Sequence, residues 1–254
     1  MSQAPRTTDV VGKALSLLTR LGDFPEGAAA SELSRLVGLP LSTAHRLLGM
    51  LVRDGYAEFD PVSRRYTLGL RVFQLAQVVA HSCGFTGMAR RELERVSLTT
   101  REATLLAVLD GDKLLYVYSI EGPQQVRVVG DPGGHGPLHC TSLGKVLIAF
   151  APPHVREHLT HTVPLAVCGP NAITDRERFV EEIARVRARG FAVADEEHEA
   201  GIRAISVPVF GGRDGAAALS TAAPAYRMSM EQLVALVPTL NEAAKSLAAV
   251  MSLG

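Results

Sequence analysis

The sequence of 254 residues has no tryptophan, three cysteines and no formal net charge, its 26 Lys/Arg being offset by 26 Asp/Glu. Each scarcity excludes something. Cys83, Cys140 and Cys168 are odd in number and show no C-x-x-C spacing, which argues against a disulfide framework or a zinc knuckle. Buried, reduced thiols are the expectation, with no metal or other cofactor. A neutral chain is poorly suited to indiscriminate binding of polyanions. No apolar run is long enough to cross a bilayer, and MSQAPRTTDV lacks the charged-then-apolar order of a secretory signal, so a cytoplasmic protein is expected, without a membrane partner. Repeats and low-complexity tracts are missing too. What is plentiful is apolar material: 47% of residues are hydrophobic, enough for one large core or two ordinary ones.

The charges are unevenly divided. Residues 1–82 hold 9 Lys/Arg and 7 Asp/Glu, a small basic excess that suits a DNA-binding head, while the remainder is slightly acidic. Apolar residues from Thr8 to Leu21 fall on one helical face, with Thr8 as the expected cap. A short helix over Ser31–Val37 stops at Gly38, Leu39 crosses a tight turn, and Pro40 opens a helix reaching Arg53. In that helix Ala44, Leu47, Leu48 and Leu51 form the buried stripe. Ser42, Thr43, His45, Arg46, Gly49 and Arg53 face outward. Tyr56–Phe59, the turn Asp60-Pro61-Val62-Ser63 and Arg64–Leu68 follow as a β-hairpin.

Three helices and a hairpin in this order make a winged helix-turn-helix. A recognition helix buries one face and shows the other to the major groove, with its contacts near the N-terminal end. Ser42, Thr43, His45 and Arg46 occupy that end, and Arg can fork onto guanine. Arg64 and Arg65 sit where a wing meets backbone or minor groove, and Arg20 and Arg53 are secondary phosphate candidates. An ordinary three-helix bundle with a solvated face also explains the alternation. It does not explain a Gly-Leu-Pro turn, a polar groove face and twin wing arginines in succession.

Leu70–Ala80 then reads as a helix apolar on more than one side, a linker that packs between subunits. From Phe85 onward the pattern is α+β. Helices are expected at Gly87–Thr100, Ser142–Phe150, Thr174–Arg189 (with a Thr174/Glu177 capping box) and Met230–Met251. Strands are expected at Thr104–Asp110, Lys113–Ile120, Val126–Val129, Phe191–Ala194, Ile202–Phe210 and Ala216–Thr221, the last two joined by a Gly-rich hairpin. This predicts a mixed sheet flanked by helices, forming a ligand-binding domain. The expected division is 1–68 for the winged head, 69–82 for the linker and 83–254 for the effector and oligomerisation domain.

Two features of this half could signal catalysis. Ser142-Leu143-Gly144-Lys145 has the Ser-x-x-Lys spacing of penicillin-interacting acyl hydrolases, but the Ser-Asp-Asn and Lys-Thr-Gly elements are missing. The upstream glycine of a phosphate loop is missing as well. A helix start capped by Thr141 or Ser142, suited to a ligand carboxylate, accounts for it better. Asp195-Glu196-Glu197-His198-Glu199 matches no metal spacing and reads as a solvated or ion-paired turn. His154, His158 and His161 share a helical spacing between Pro152-Pro153 and Pro164, and are read as surface residues. His139 and Cys140 are adjacent, a poor arrangement for a nucleophile and its base.

Several stretches, in order, resemble the IclR-type regulators: GLPLSTAHRLLGMLVRDGY, YTLG after the wing, LHCTSLGKVLIAF, RGFAVADEEHEAGIRAISVPVF and LSTAAP. The resemblance covers almost the whole chain. It implies a winged helix-turn-helix, a linker helix and a GAF-like effector domain. It further implies a transcription regulator, here expected to be a repressor and not an enzyme, that binds double-stranded operator DNA as a homodimer or dimer of dimers (a homotetramer) and responds to a small organic acid or aromatic compound. The implied effector contacts are Val128, Gly136, Ser142, Ala194, Ile202, Ala204, Ser220 and Ala222. In members that bind small keto acids, the positions of Ala194, Ala204 and Ala222 carry an acid, a thiol and a hydroxyl. Three alanines here imply a larger, more apolar acid than pyruvate or glyoxylate.

Overall fold

A computed structural model describes residues 9–82, 87–211 and 216–251. Its contacts divide the chain into two compact units, Met1–Val79 and Ala80–Gly254. The division falls inside the helix read as a linker.

In the first unit, α1 (Val10–Leu21) is capped by Asp9, whose carboxylate accepts from Gly12 N at 2.5 Å; Thr8 lies outside the described residues. Helix α2 (Ala30–Val37) ends at Gly38 with φ +70°, where Leu39 N reaches back to Ser34 O at 2.8 Å. This Schellman closure turns the chain sharply enough for α3 (Leu41–Arg53) to start three residues later, behind Pro40. Leu17, Leu21, Leu33, Ala44, Leu47 and Leu48 are buried together, with Leu51 packed at the edge, so the expected stripe of α3 does face the core. Strands β1 (Ala57–Asp60) and β2 (Arg65–Leu68) pair antiparallel from Ala57↔Leu68 to Asp60↔Arg65. At the tip, the Asp60 carboxylate accepts from the amides of Val62 and Ser63 at 2.9 and 3.2 Å, and Arg64 adopts φ +56°. Ala28 bridges to Tyr66 through two backbone bonds, tying the wing to the start of α2. Helix α4 (Leu70–Ser82) then leaves Leu70, Phe73 and Val78 at least 61% exposed.

The second unit is a six-stranded sheet between two helical layers, the α+β, GAF-like arrangement expected. Its strands are β3 (Ala103–Asp110), β4 (Lys113–Ile120), β5 (His135–Gly136), β6 (Ala192–Asp195), β7 (Ile202–Phe210) and β8 (Ala216–Pro224). The spatial order is β5-β4-β3-β8-β7-β6, and every pairing is antiparallel, not of mixed direction. One face packs on α5 (Gly87–Thr100) and α10 (Val237–Met251) through Leu93, Val96, Leu240 and Leu247. The other packs on α6 (Ser142–Phe150), α7 (Pro153–Thr162) and α8 (Arg176–Arg189) through Val146, Leu147, Leu159, Phe179 and Ile183.

Several local expectations are corrected. Val126–Val129 is not a strand; the edge of β4 is taken instead by His135–Gly136, paired with Leu114 and Leu115. The prolines at 152 and 153 do not prevent helix α7 but start it, Pro153 standing in the first turn where no N–H is required. The cap of α8 is Asp175, accepting from Arg178 N at 2.9 Å, one residue after the Thr174 expected. The C-terminal helix is two: α9 (Met230–Val234), opened by a Ser229/Gln232 capping box, and α10, whose second residue is Pro238. A proline interior to one long helix would lose a hydrogen bond and clash one turn back; in a new first turn it does neither. Residues 212–215 of the expected Gly-rich hairpin lie outside the described residues, as does Cys83.

Candidate nucleic-acid interface and ligand cavity

The outward face of α3 carries the expected side chains. Ser42, His45, Arg46, Gly49 and Arg53 are exposed and Thr43 is half-buried. Their availability differs. Among the described residues, Arg46 makes only a long contact of 3.9 Å to Met50 Sδ, leaving its guanidinium fork open. Arg53 instead grips Asp54 through two bonds of 2.9 and 3.2 Å, and this contact holds the Asp54 carboxyl below its usual range. Arg20 is paired with Asp23 at 3.1 Å. The twin wing arginines also part company. Arg65 donates to Gly27 O at 2.8 Å and so helps fasten the wing, whereas Arg64 stands at the tip in the left-handed region. Arg65→Ala should therefore lower the melting temperature of the head, costing about 1 kcal/mol. Arg64→Gly should leave it within about 0.5 kcal/mol, since the relieved backbone strain offsets the extra freedom of the unfolded chain. Thermal denaturation of the two variants separates these roles.

In the second unit, a cavity of about 410 Å³ lies between the sheet and α6, within the range of small-molecule sites. Its floor follows from strand register. Ala194, Ala204 and Ala222, which line it, stand opposite one another across β6, β7 and β8, and register continues the row to the buried Ala103 on β3. The next row on that face brings Ser206, Ser220 and Leu105 together. Small side chains in register leave the space; larger ones would fill it. Val128, Ser142, Ala194, Ile202, Ala204, Ser220 and Ala222 all line the cavity. Gly136, on β5, does not; a Cβ there would press on the Tyr116 ring.

Polar groups gather at one end. Thr141 caps α6, accepting from Gly144 N at 3.0 Å and donating to Pro137 O at 2.8 Å. The positive end of this helix, with the Ser142 hydroxyl, meets the cavity wall. Ser142 Oγ is 2.7 Å from Ser206 Oγ and 3.5 Å from Ser220 Oγ, and Ser220 donates to Ile205 O at 2.9 Å. Tyr116, Arg127, Gly130 and Asp131 also line the space and escaped sequence reasoning; His198 and Glu199, read from sequence only as part of a solvated or ion-paired turn, line it too. For Tyr116 a signal existed, in the alternation of β4. For Arg127, Gly130 and Asp131 none did, because no ladder holds them; Gly130 N is fastened instead to Ser119 Oγ at 3.0 Å. Burial pushes the Tyr116 hydroxyl pKa up, so it stays a neutral donor.

The Ser-x-x-Lys reading fails on geometry. Lys145 is 1% exposed and its ammonium donates to both carboxylate oxygens of Glu197, at 2.7 and 2.9 Å. The base such an enzyme needs is locked into an ion pair, and Ser142 is bonded to Ser206 instead. His154, His158 and His161 are exposed along α7, as expected of surface residues. Of the cysteines, Cys140 is buried but Cys168 is exposed, against the expectation of buried thiols.

A winged helix-turn-helix in one unit and a cavity-bearing sheet in the other define a class, the transcription regulators with a DNA-binding head and a separate second domain. Residues 10–61 match the family model described as the IclR helix-turn-helix domain, and residues 77–249 match that of the bacterial transcriptional regulator IclR C-terminal domain. The chain belongs to the IclR family of bacterial transcription regulators. It is 30% identical over 253 residues to the HTH-type transcriptional regulator KdgR of Escherichia coli, covering 99% of this chain and 95% of that one. It is 30% identical over 236 residues to the HTH-type transcriptional regulator BhcR of Paracoccus denitrificans, covering 92% and 84%. A solved IclR homolog from Microbacterium hydrocarbonoxydans, complexed with 4-hydroxybenzoate, superposes with a TM-score of 0.81 at 29% identity, covering 95% of this chain and 100% of that one. These relatives are regulators, not enzymes. No helix among the described residues is long and apolar enough to cross a membrane.

Proposed function

We propose that the protein is a cytoplasmic repressor that binds operator DNA as a dimer or dimer of dimers and is relieved by an aromatic or otherwise apolar organic acid. The observation that carries the effector class is the alanine row beside a hydroxyl pair at a helix N-terminus. It offers a flat apolar floor for a ring and a donor-rich, positive end for a carboxylate. Pyruvate or glyoxylate would leave most of the cavity unfilled and find no polar partner on the floor. The 4-hydroxybenzoate seen in the solved relative belongs to the same chemical class.

On the DNA side, Ser42, Thr43, His45 and Arg46 read the groove, while Arg64 at the wing tip meets phosphate and Arg65 and Arg53 serve the head's own structure. The exposed apolar surface of α4 supplies the seam for a second copy, the head, linker and effector domain dividing near residues 68 and 82. Ligand acts by differential affinity for two spacings of paired heads.

The experiment is a gel shift against the DNA upstream of the protein's own gene, without and with 4-hydroxybenzoate, beside calorimetry of that acid and of pyruvate. Retarded DNA released by the aromatic acid supports the reading; tight pyruvate binding with no aromatic binding overturns the effector class. Arg46→Ala should weaken specific binding by about 1–3 kcal/mol, roughly five- to 150-fold, with the fold intact. Ala222→Leu, which fills the floor, should abolish the response to the acid and leave DNA affinity unchanged. An Arg46→Ala protein with wild-type affinity would remove α3 from the groove.

A further inference from the structure

Three side chains able to ligate a metal converge from two separate stretches of the second unit, and a fourth, His198, stands beside one of them. His139 and Cys140 lie in the turn before α6, Cys168 in the loop between α7 and α8, and His198 in the turn between β6 and β7. One donor atom each of His139, Cys140 and Cys168 lie within 4.8 Å of one another. Cys140 Sγ is 3.6 Å from His198 Nδ1, and Cys168 Sγ is 3.8 Å from His139 Nε2. Zinc bonds of about 2.3 Å to sulfur and about 2.0 Å to nitrogen place sulfur and nitrogen about 3.6 Å apart at the corners of a tetrahedron. Both observed edges are close to that length.

We propose that His139, Cys140 and Cys168 bind a zinc ion, and that His198, which already reaches Cys140 from an exposed turn, moves in to take the fourth corner of a tetrahedron. Two thiolates and two neutral imidazoles around a divalent cation carry no net charge, so the group can sit beside the buried Lys145–Glu197 pair without a new desolvated charge. His139 and Cys140 are buried while Cys168 and His198 are exposed, which gives the ion a floor of fixed ligands and a route in from solvent. Binding releases one proton from each thiol. It also turns the Nε2 lone pair of His139 to the metal, at the expense of its present 2.8 Å contact with Ala166 O. His198 lines the ligand cavity as well, so the ion would pin one wall of that cavity to the start of α6.

The full chain, reduced and stripped of metal, is titrated with Co2+ as a spectroscopic substitute for zinc. One Co2+ per chain is expected, with thiolate-to-metal absorption in the near ultraviolet and the intense visible bands of tetrahedral cobalt, both bleached by an equivalent of Zn2+. Cys168→Ser, at an exposed position that leaves the fold intact, should lose more than about a hundredfold in affinity, beyond what a merely supporting residue costs. His198→Gln should shift the visible bands and weaken binding, and Cys83→Ser should change neither. No sulfur-to-cobalt absorption in the wild-type protein, or undiminished absorption in Cys168→Ser, overturns the assignment. Neither result depends on DNA or effector binding.

Discussion

Lys145→Met should destabilise the second unit by about 3–5 kcal/mol, the cost of leaving one half of a buried ion pair without its partner. Lys145 comes from α6 and Glu197 from the turn after β6; both are buried, their charged atoms 2.7 Å apart. The Glu182 carboxylate, 3.9 Å from the same ammonium, is already engaged with Arg185 and Arg189. The loss has a pH signature. Burial raises the Glu197 pKa above its ordinary value, and Lys145 opposes that rise without cancelling it. A carboxyl raised in the folded state contributes stability that is present below the unfolded pKa and lost as pH climbs through the folded one. Removing Lys145 raises Glu197 further. The deficit against wild type should therefore be largest at neutral pH and shrink on acidification, as Glu197 takes a proton. Urea denaturation at about pH 7.5 and at about pH 5 measures this; an equal deficit at both would mean that lost packing, not the stranded charge, is responsible. Glu197→Gln should cost less, because Glu182 remains beside the ammonium.

The second large effect runs against local propensity. Alanine is the better helix former by about 1 kcal/mol, so Gly144→Ala within α6 ought to stabilise if the helix stood alone. A Cβ at 144, however, would lie 2.2 Å from Leu138 O and 2.4 Å from Leu138 Cα, both backbone atoms that cannot swing away. Relieving the clash moves α6 off the 137–141 turn, which holds its Thr141 cap and the polar end of the cavity. A loss of about 3 kcal/mol is expected for the second unit, with effector binding lost and the head's own melting transition unchanged. A more stable Gly144→Ala protein would refute the close approach. Differential scanning calorimetry resolves the two units.

The winged head was legible almost residue by residue, because its signals are local: a positive-φ glycine between two amphipathic helices, and a hairpin with a turn rich in Asp, Pro and Ser. The second unit was legible where periodicity is strong, as in α5, β4 and β7. It misled where neighbours decide. Val126–Val129 has strand-like residues, but His135–Gly136 holds the β4 edge, so those valines find no ladder. Pro152 and Pro153 were read as bracketing a short segment and Pro238 as interior to one long helix, although each stands at a helix start. The alanine row was visible only as three substitutions against a family pattern; that register aligns them with Ala103 is a property of the sheet. Cys168 and His198 approach His139 and Cys140 only because two loops converge, and no spacing in the chain announces it.

The Ser142–Ser206 pair makes the cavity ambidextrous. Its two oxygens sit 2.7 Å apart and either can be the donor. Facing a carboxylate, Ser142 turns its hydrogen outward and takes the one on Ser206 from behind. Facing a ligand's own hydroxyl, it accepts and passes its hydrogen back to Ser206. The reversal moves protons and no heavy atoms, so one rigid wall can greet an anion and a neutral phenol alike. On the proposed reading, discrimination among acids then falls to shape against the alanine floor rather than to the hydroxyl pair.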